Sequence, residues 1–186
     1  MEASAILQAT AFPELKTERL LLRQFKQSDL ENVFLGLSHP DVIKYYGVNY
    51  TSLEDTQRQL DWFWENEQNQ TGIWWAVCSP DNQVFYGGGG LSSMSLEHRK
   101  AEIGFWLLPE YWGKGIMPEA MPLIFDYAFQ QLNLHRIEGL VESDNDICKK
   151  AVRKLNFIHE GTMVDCEMKN GRFISIDIFA KFNTYN

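Results

Sequence analysis

The chain has 186 residues, a length that argues for one domain around one core and leaves no room for a second. Apolar residues make up 45% and charged residues 23%, which excludes a disordered chain and a fibrous repeat. Lys and Arg number 17 against 25 Asp and Glu, and the formal net charge of -8 disfavours nucleic-acid or anionic-membrane partners while permitting a local basic spot or a cationic substrate.

Residues 1–14 show little periodicity and read as an N-terminal arm, 15–182 as a single domain and 183–186 as a tail. Residues 19–25 form a short apolar run with charged ends, as a strand does. Ser28, Asp29, Leu30 and Glu31 then supply an N-cap and a carboxylate in the following turn, so a helix is expected. His39 and Pro40 break that pattern, 41–46 form a short turn, and 51–68 repeat apolar residues at helical spacing behind Ser52 as cap.

From Ile73 the character changes to strand. Residues 73–78 and 83–94 flank the turn chemistry of 79–82 and predict a hairpin. The four glycines at 87–90 mark a bulge or a place of close approach to the backbone. Residues 100–108 form the next strand, and 116–131 carry a full apolar stripe of helical period. A strand at 136–142, a helix at 146–155 and two strands at 157–168 and 173–182 follow, the last two joined by the turn Asn170-Gly171. The order β-α-α-β-β-β-α-β-α-β-β predicts an α/β (α+β) domain with helices packed on a mixed sheet.

Cys78, Cys148 and Cys166 make an odd set with no C-x-x-C spacing, so neither a disulfide framework nor a zinc site is expected. His39, His98, His135 and His159 show no metal spacing, and no metal is expected. The first positive charge is Lys16, no signal-peptide pattern opens the chain, and no apolar run nears the roughly 20 residues of a membrane span. These features predict a cytoplasmic protein.

The stretch 103–120 is the most informative. A strand enters a tight loop, Trp112-Gly113-Lys114-Gly115, which opens into an amphipathic helix whose first amides have no internal partner and lie at the positive end of the helix dipole. Such an end binds anions, glycine at 113 and 115 permits close backbone approach, and Lys114 adds a charge. Taken alone, the spacing is also that of an ordinary strand-to-helix turn.

Over about residues 15–182 the chain resembles the GNAT N-acetyltransferases of the RimJ/RimL type. The resemblance is carried by Thr17-Glu18-Arg19-Leu20-Leu21-Leu22-Arg23, His39-Pro40-Asp41-Val42, Ala101-Glu102-Ile103-Gly104-Phe105-Trp106-Leu107, residues 111–120 and residues 145–157, with Glu160-Gly161 and Asn170-Gly171 completing the series. It implies the GNAT fold, a mixed and mostly antiparallel sheet of six to seven strands with about four helices on both faces. The superfamily's Gln or Arg before the loop glycines is Trp112 here. Cys148 stands where Ser is common, Asn156 where Gly is common and Ser175 where Asp often follows the last turn.

The implied reaction is direct attack of a primary amine, a protein N-terminus included, on the thioester of acetyl-CoA in a ternary complex. The alternative is a non-catalytic acyl-CoA-binding or regulatory protein of the same fold. By the resemblance, amides of Gly113, Lys114, Gly115, Ile116 and Met117, with Trp112, hold the pyrophosphate. Backbone groups of Trp106, Leu107 and Leu108 line the pantetheine, and an amide near Leu107 polarises the thioester carbonyl. Glu102, on one face with Gly104 and Trp106, is the candidate general base or else a solvated carboxylate; Glu160 is its weaker rival. Cys148 is a proton donor to the departing thiolate or a small apolar-like residue. Asn145 is a helix cap, a cofactor contact, or both. Tyr45 and Tyr46 are implied substrate neighbours, whereas Trp62, Trp64, Trp74 and Trp75 read mostly as core. The protein is expected to be a monomer or homodimer.

Overall fold

The computed structural model describes residues 11–184. The expectations for the outer arm, 1–10, and for 185–186 lie outside the described residues. Residues 11–14, assigned to the arm, are docked: the Phe12 ring lies 5.8 Å from that of Trp75, whose indole N–H donates to the Pro13 carbonyl at 2.7 Å.

Among the described residues eight strands form one sheet: β1 (Leu15–Lys16), β2 (Leu21–Gln24), β3 (Ile73–Cys78), β4 (Phe85–Ser95), β5 (Lys100–Leu107), β6 (Arg136–Glu142), β7 (Ile158–Lys169) and β8 (Arg172–Phe182). Their order is β1-β2-β3-β4-β5-β6-β8-β7. All neighbours run antiparallel except β5 and β6. This agrees with the expected GNAT fold, with one strand more than the six to seven anticipated. The extra one is β1, two residues long and too short to leave a pattern in sequence.

Five α-helices cover the sheet: α1 (Leu30–Leu37), α2 (Pro40–Ile43), α3 (Leu53–Gln68), α4 (Ile116–Asp126) and α5 (Asp146–Lys154). The strand period of two sorts each strand's side chains between two cores. Ile73, Trp75 and Val77 of β3 join Leu107, Ile124, Phe125, Val152 and Phe179 on the α4/α5 face. Trp74, Ala76 and Cys78 join Val33, Leu37, Leu60, Phe63 and Trp106 on the α1/α3 face. Trp62 is more exposed than the core reading required, at 38%, and Trp64 is half-buried with its N–H on the Phe25 carbonyl.

Ser52 caps α3 by accepting from the Asp55 amide at 3.1 Å. At α1 the expected cap is replaced. The Asp29 carboxylate turns back to the Lys26 amide and takes a two-pronged hydrogen bond from Arg23, at 2.7 and 2.8 Å. Both side chains are buried, so each satisfies a charge that would otherwise be stranded away from water. The 116–131 stripe is α-helical only to Asp126 and ends in a wider π turn, in which the Leu132 amide donates to Tyr127.

The glycine run sits inside β4 as a seat for aromatic rings. A Cβ at Gly90 would lie 2.6 Å from Trp74, and one at Gly88 would lie 2.9 Å from Phe25 and 3.2 Å from the Trp106 indole nitrogen. The Trp106 ring is wedged on its other side against Gly36 of α1. Close approach, not a phosphate loop, explains these residues.

Candidate functional site

The site begins where two strands part. Lys100, Ala101 and Glu102 of β5 pair in parallel with Arg136, Ile137 and Glu138 of β6, and the pairing goes no further. On its other side β5 stays paired to β4 as far as Leu107, opposite Gly87. Residues 103–107 therefore present one open edge.

Strand alternation decides which backbone groups face it. The Leu108 amide donates to the Tyr86 carbonyl at 2.9 Å, so residues two apart from it, such as Trp106 opposite Gly88, also turn towards β4. Phe105 and Leu107 turn the other way, into the gap. The Leu107 carbonyl already accepts the Trp112 indole N–H at 2.9 Å, whereas the Leu107 amide, on the unpaired side of β5, meets no acceptor strand among the described residues. Of the expected trio Trp106, Leu107 and Leu108, only Leu107 offers its backbone to a ligand. Phe105 takes the place of the other two, and the Trp106 side chain is buried in the α1/α3 core.

The chain then turns through Pro109–Tyr111 into the loop before α4. Gly113 and Gly115 have φ of +72° and +76°, the left-handed region that side chains rarely adopt. Gly115 is the N-cap and has no side chain to occupy the helix end. Among the described residues the amides of Gly115, Ile116 and Met117 have no acceptor, and Pro118 has no N–H to satisfy. They open onto a groove of about 1100 Å³ between α4 and α5, which Phe105 and Leu107 also line.

Three lysines line that groove: Lys150 and Lys154, one helical turn apart on α5 and without a carboxylate partner among the described residues, and Lys181 of β8, whose ammonium donates to the Leu155 carbonyl at 2.9 Å. Sequence reasoning did not select them or Phe105; the signal was present as two lysines at i, i+4 on a helix facing the loop. Lys114 is displaced from its expected role: its ammonium lies 5.3 Å from the centre of the Tyr111 ring, beside a smaller cavity of about 250 Å³ that Arg19 shares. Glu119 in the first turn of α4 would oppose an anion, but Thr17 and Arg19 both bind its carboxylate and hold it below the usual carboxylate range.

Asn145 caps α5, its side-chain oxygen accepting from the Cys148 amide at 3.0 Å. The Cys148 side chain packs on the α4/α5 core, and burial pushes its thiol up to about 11. Donation from Cys148 would leave its thiolate in a buried setting that disfavours the charged form. Its surroundings favour the packing role of Cys148 over the donor role. Cys148→Ala is accordingly expected to hold kcat within about twofold of the native chain, as measured by thiol release at saturating substrates. A fall of about 100-fold would restore Cys148 to the chemistry.

Glu102 lies on the opposite face, in register with Ser92 of β4 and Glu138 of β6. The carboxylates near it on that face are engaged: Glu138 with Lys100 and Arg136, Glu142 with Lys169, and Glu160 with Arg136. Glu102 has no hydrogen bond or ion pair among the described residues. The pairing of Glu160 with Arg136, which holds its carboxyl below the usual range, removes it as a rival base. Tyr45 and Tyr46 part company. Tyr46 packs against the α1/α3 core, where burial pushes its phenol up, while the half-buried Tyr45 ring lies beneath the ammonium groups of Lys44 and Lys169.

Among known proteins, residues 19–158 match the family described as Acetyltransferase (GNAT) domain. The chain is 32% identical over 170 residues to the uncharacterized N-acetyltransferase YoaA of Bacillus subtilis (strain 168), covering 91% of this chain and 96% of that one. Its fold is similar to that of RimL, a ribosomal L7/L12 alpha-N-protein acetyltransferase solved with coenzyme A, at TM-score 0.84, 19% identity and coverage of 94% of this chain and 100% of that one. It is also similar to the spermidine N-acetyltransferase of Vibrio cholerae solved with CoA and spermine, at TM-score 0.79, 22% identity and coverage of 89% and 96%. Among the described residues no helix is long and apolar enough to cross a membrane, and no group of His, Cys, Asp and Glu is placed to hold a metal ion.

Proposed function

The chain belongs to the GNAT acetyltransferase family and is an acetyl-CoA-dependent N-acetyltransferase, and we propose that its acceptor is a cationic primary amine that arrives on the Glu102 face. The observation that carries this reading is the parting of β5 from β6 beyond the Glu102–Glu138 pair. One side of the gap opens on the groove that ends at the α4 N-terminus, and the other carries a carboxylate with no partner among the described residues.

Acetyl-CoA supplies the activated acyl carbon, and this chain's residues do the rest. The residues present fit such a substrate. The Gly115, Ile116 and Met117 amides meet the pyrophosphate at a helix end where the dipole favours negative charge. Lys150 and Lys154 neutralise further phosphate charge from the facing helix. The Phe105 and Leu107 backbone edge pairs with the peptide-like pantetheine as a strand would, and the Leu107 amide donates to the thioester oxygen as negative charge develops on it. Glu102 draws in the ammonium form of the acceptor and removes the proton that bars attack.

The test is an amine panel with release of free thiol as the readout. Spermidine and peptides with basic and acidic N-terminal sequences are the informative members. Saturable, amine-dependent thiol release is expected, with kcat/KM for cationic acceptors falling several-fold between about 50 and 500 mM salt as screening shortens the reach of the acidic face. CoA binding without turnover of any member, or a preference for neutral amines at low salt, defeats the proposal.

A further inference from the structure

At the rim of the gap, on the Glu102 face, one side chain joins two elements that are otherwise separate. Lys169 is the last residue of β7, held at the tip of the β7–β8 hairpin by the Asn170-Gly171 turn, in which both residues have positive φ. Its ammonium donates to the Glu142 carboxylate at the end of β6. It also donates to the Lys44 carbonyl, 2.8 Å away at the end of α2, and lies 6.0 Å from the centre of the Tyr45 ring. Lys44 and Lys169 are 125 positions apart in the sequence.

The segment that Lys169 reaches has its other anchors within the N-terminal half. The Tyr50 amide donates to the Leu37 carbonyl at 3.1 Å and its hydroxyl donates to Gln59 at 2.9 Å. Tyr46 and Val48 pack on the α1/α3 core. Among the described residues, the polar contacts between 40–50 and the β7–β8 hairpin all pass through Lys169. Glu142 shares its face of β6 with Glu138 and Leu140, and Leu140 is 45% exposed where no helix covers the sheet. The ammonium therefore spans from the floor and one wall of the open face to its opposite wall. The ion pair with Glu142 is largely shielded from solvent, with Lys169 25% and Glu142 14% exposed, so it is screened less than a surface pair.

We propose that Lys169 is a positioning residue that clasps the 40–50 segment to the hairpin and so sets the width of the acceptor cleft. The proposal rests on the acceptor reaching the gap from the Glu102 face. It assigns Lys169 no contact with acetyl-CoA, whose groove lies on the other face of the sheet. Its charge and length both count: the ammonium must donate to two oxygens on different elements at once, which a methionine of similar length does not do.

The experiment compares Lys169→Met, Lys169→Arg and the native chain by amide hydrogen exchange and by steady-state kinetics with spermidine and a basic N-terminal peptide. In Lys169→Met the amides of 43–50 are expected to exchange at least about tenfold faster while those of β3, β4 and β5 keep their rates. The KM for the acceptor is expected to rise at least about fivefold with the KM for acetyl-CoA within about twofold, and Lys169→Arg is expected to recover most of both effects. Unchanged exchange at 43–50 overturns the clasp, and so does a parallel rise of both KM values. The exchange readout needs no acceptor. It decides on the clasp even if the native chain acetylates neither probe, a result that would count against the cationic-amine reading instead.

Discussion

Replacing Gly115 by valine is expected to raise the KM for acetyl-CoA at least about tenfold with little loss of stability, although a side chain held in the left-handed region costs about 1–2 kcal/mol wherever the backbone does not relax. Space is not the cause. A Cβ at Gly115 would meet only the Arg19 guanidinium, at 3.7 Å, an ordinary contact. The cause is φ of +76°, which a β-branched residue holds only under strain. Strain resolves in one of two ways, and they separate in the measurements. If the backbone keeps its shape, melting temperature falls and the KM stays near native. If the loop relaxes instead, the Gly115 amide and those after it turn away from the groove and the KM rises with little loss of stability. The second outcome dominates because the loop is exposed and lightly packed, so it yields more readily than the α4 core behind it. Gly113, at +72° and with nothing near a Cβ, gives a control of the same backbone type. Calorimetric binding of CoA checks both variants without an acceptor. Native affinity in Gly115→Val at an unchanged melting temperature would mean that the loop relaxed without loss of binding, and would remove the α4 amides from phosphate binding.

Legibility in the sequence followed the distance over which each feature is encoded. The strands, helices and hairpin turn are local patterns, and Ser52, Asn145 and Asn170-Gly171 announce themselves because capping and turn chemistry need particular side chains. The loop glycines were legible for the same reason. The open edge was not, because it depends on where β5 ceases to pair with β6, a tertiary fact. Without that parting, period-two alternation offers Trp106 and Leu107 equally. With it, Leu107 and Phe105 face the gap and Trp106 does not. The setting of Lys114 is likewise beyond local pattern: its charge suits an anion loop, while in the fold its ammonium lies near the ring of Tyr111 three residues earlier. Cys148 was read from a family position, whereas its chemistry is set by burial, which a lone cysteine in sequence does not reveal.

Glu102→Gln is expected to lower kcat at saturating acceptor by about 100-fold near pH 7, within the range general-base catalysis contributes. Glutamine keeps the size and a hydrogen-bonding oxygen but accepts no proton, so the substitution isolates proton removal from packing. The size of the effect depends on the acceptor. An alkyl amine with a pKa near 10.4 is free base only about once in 2,500 molecules at pH 7, whereas an α-amino group near 7.8 is free about once in seven. Spermidine-like acceptors therefore lean on Glu102 more heavily than protein N-termini do. The sign with pH follows: raising the pH supplies neutral amine without a base, so the deficit of Glu102→Gln shrinks towards the amine's own pKa and grows below it. Electrostatic attraction alone behaves otherwise. If Glu102 only collects the cation, the substitution raises the acceptor KM and leaves kcat at saturation within about twofold at every pH. A flat ratio of native to variant kcat across pH 6 to 10 would therefore strip Glu102 of the base role while leaving it on the path of the acceptor. A deficit that closes as the amine deprotonates assigns it the proton.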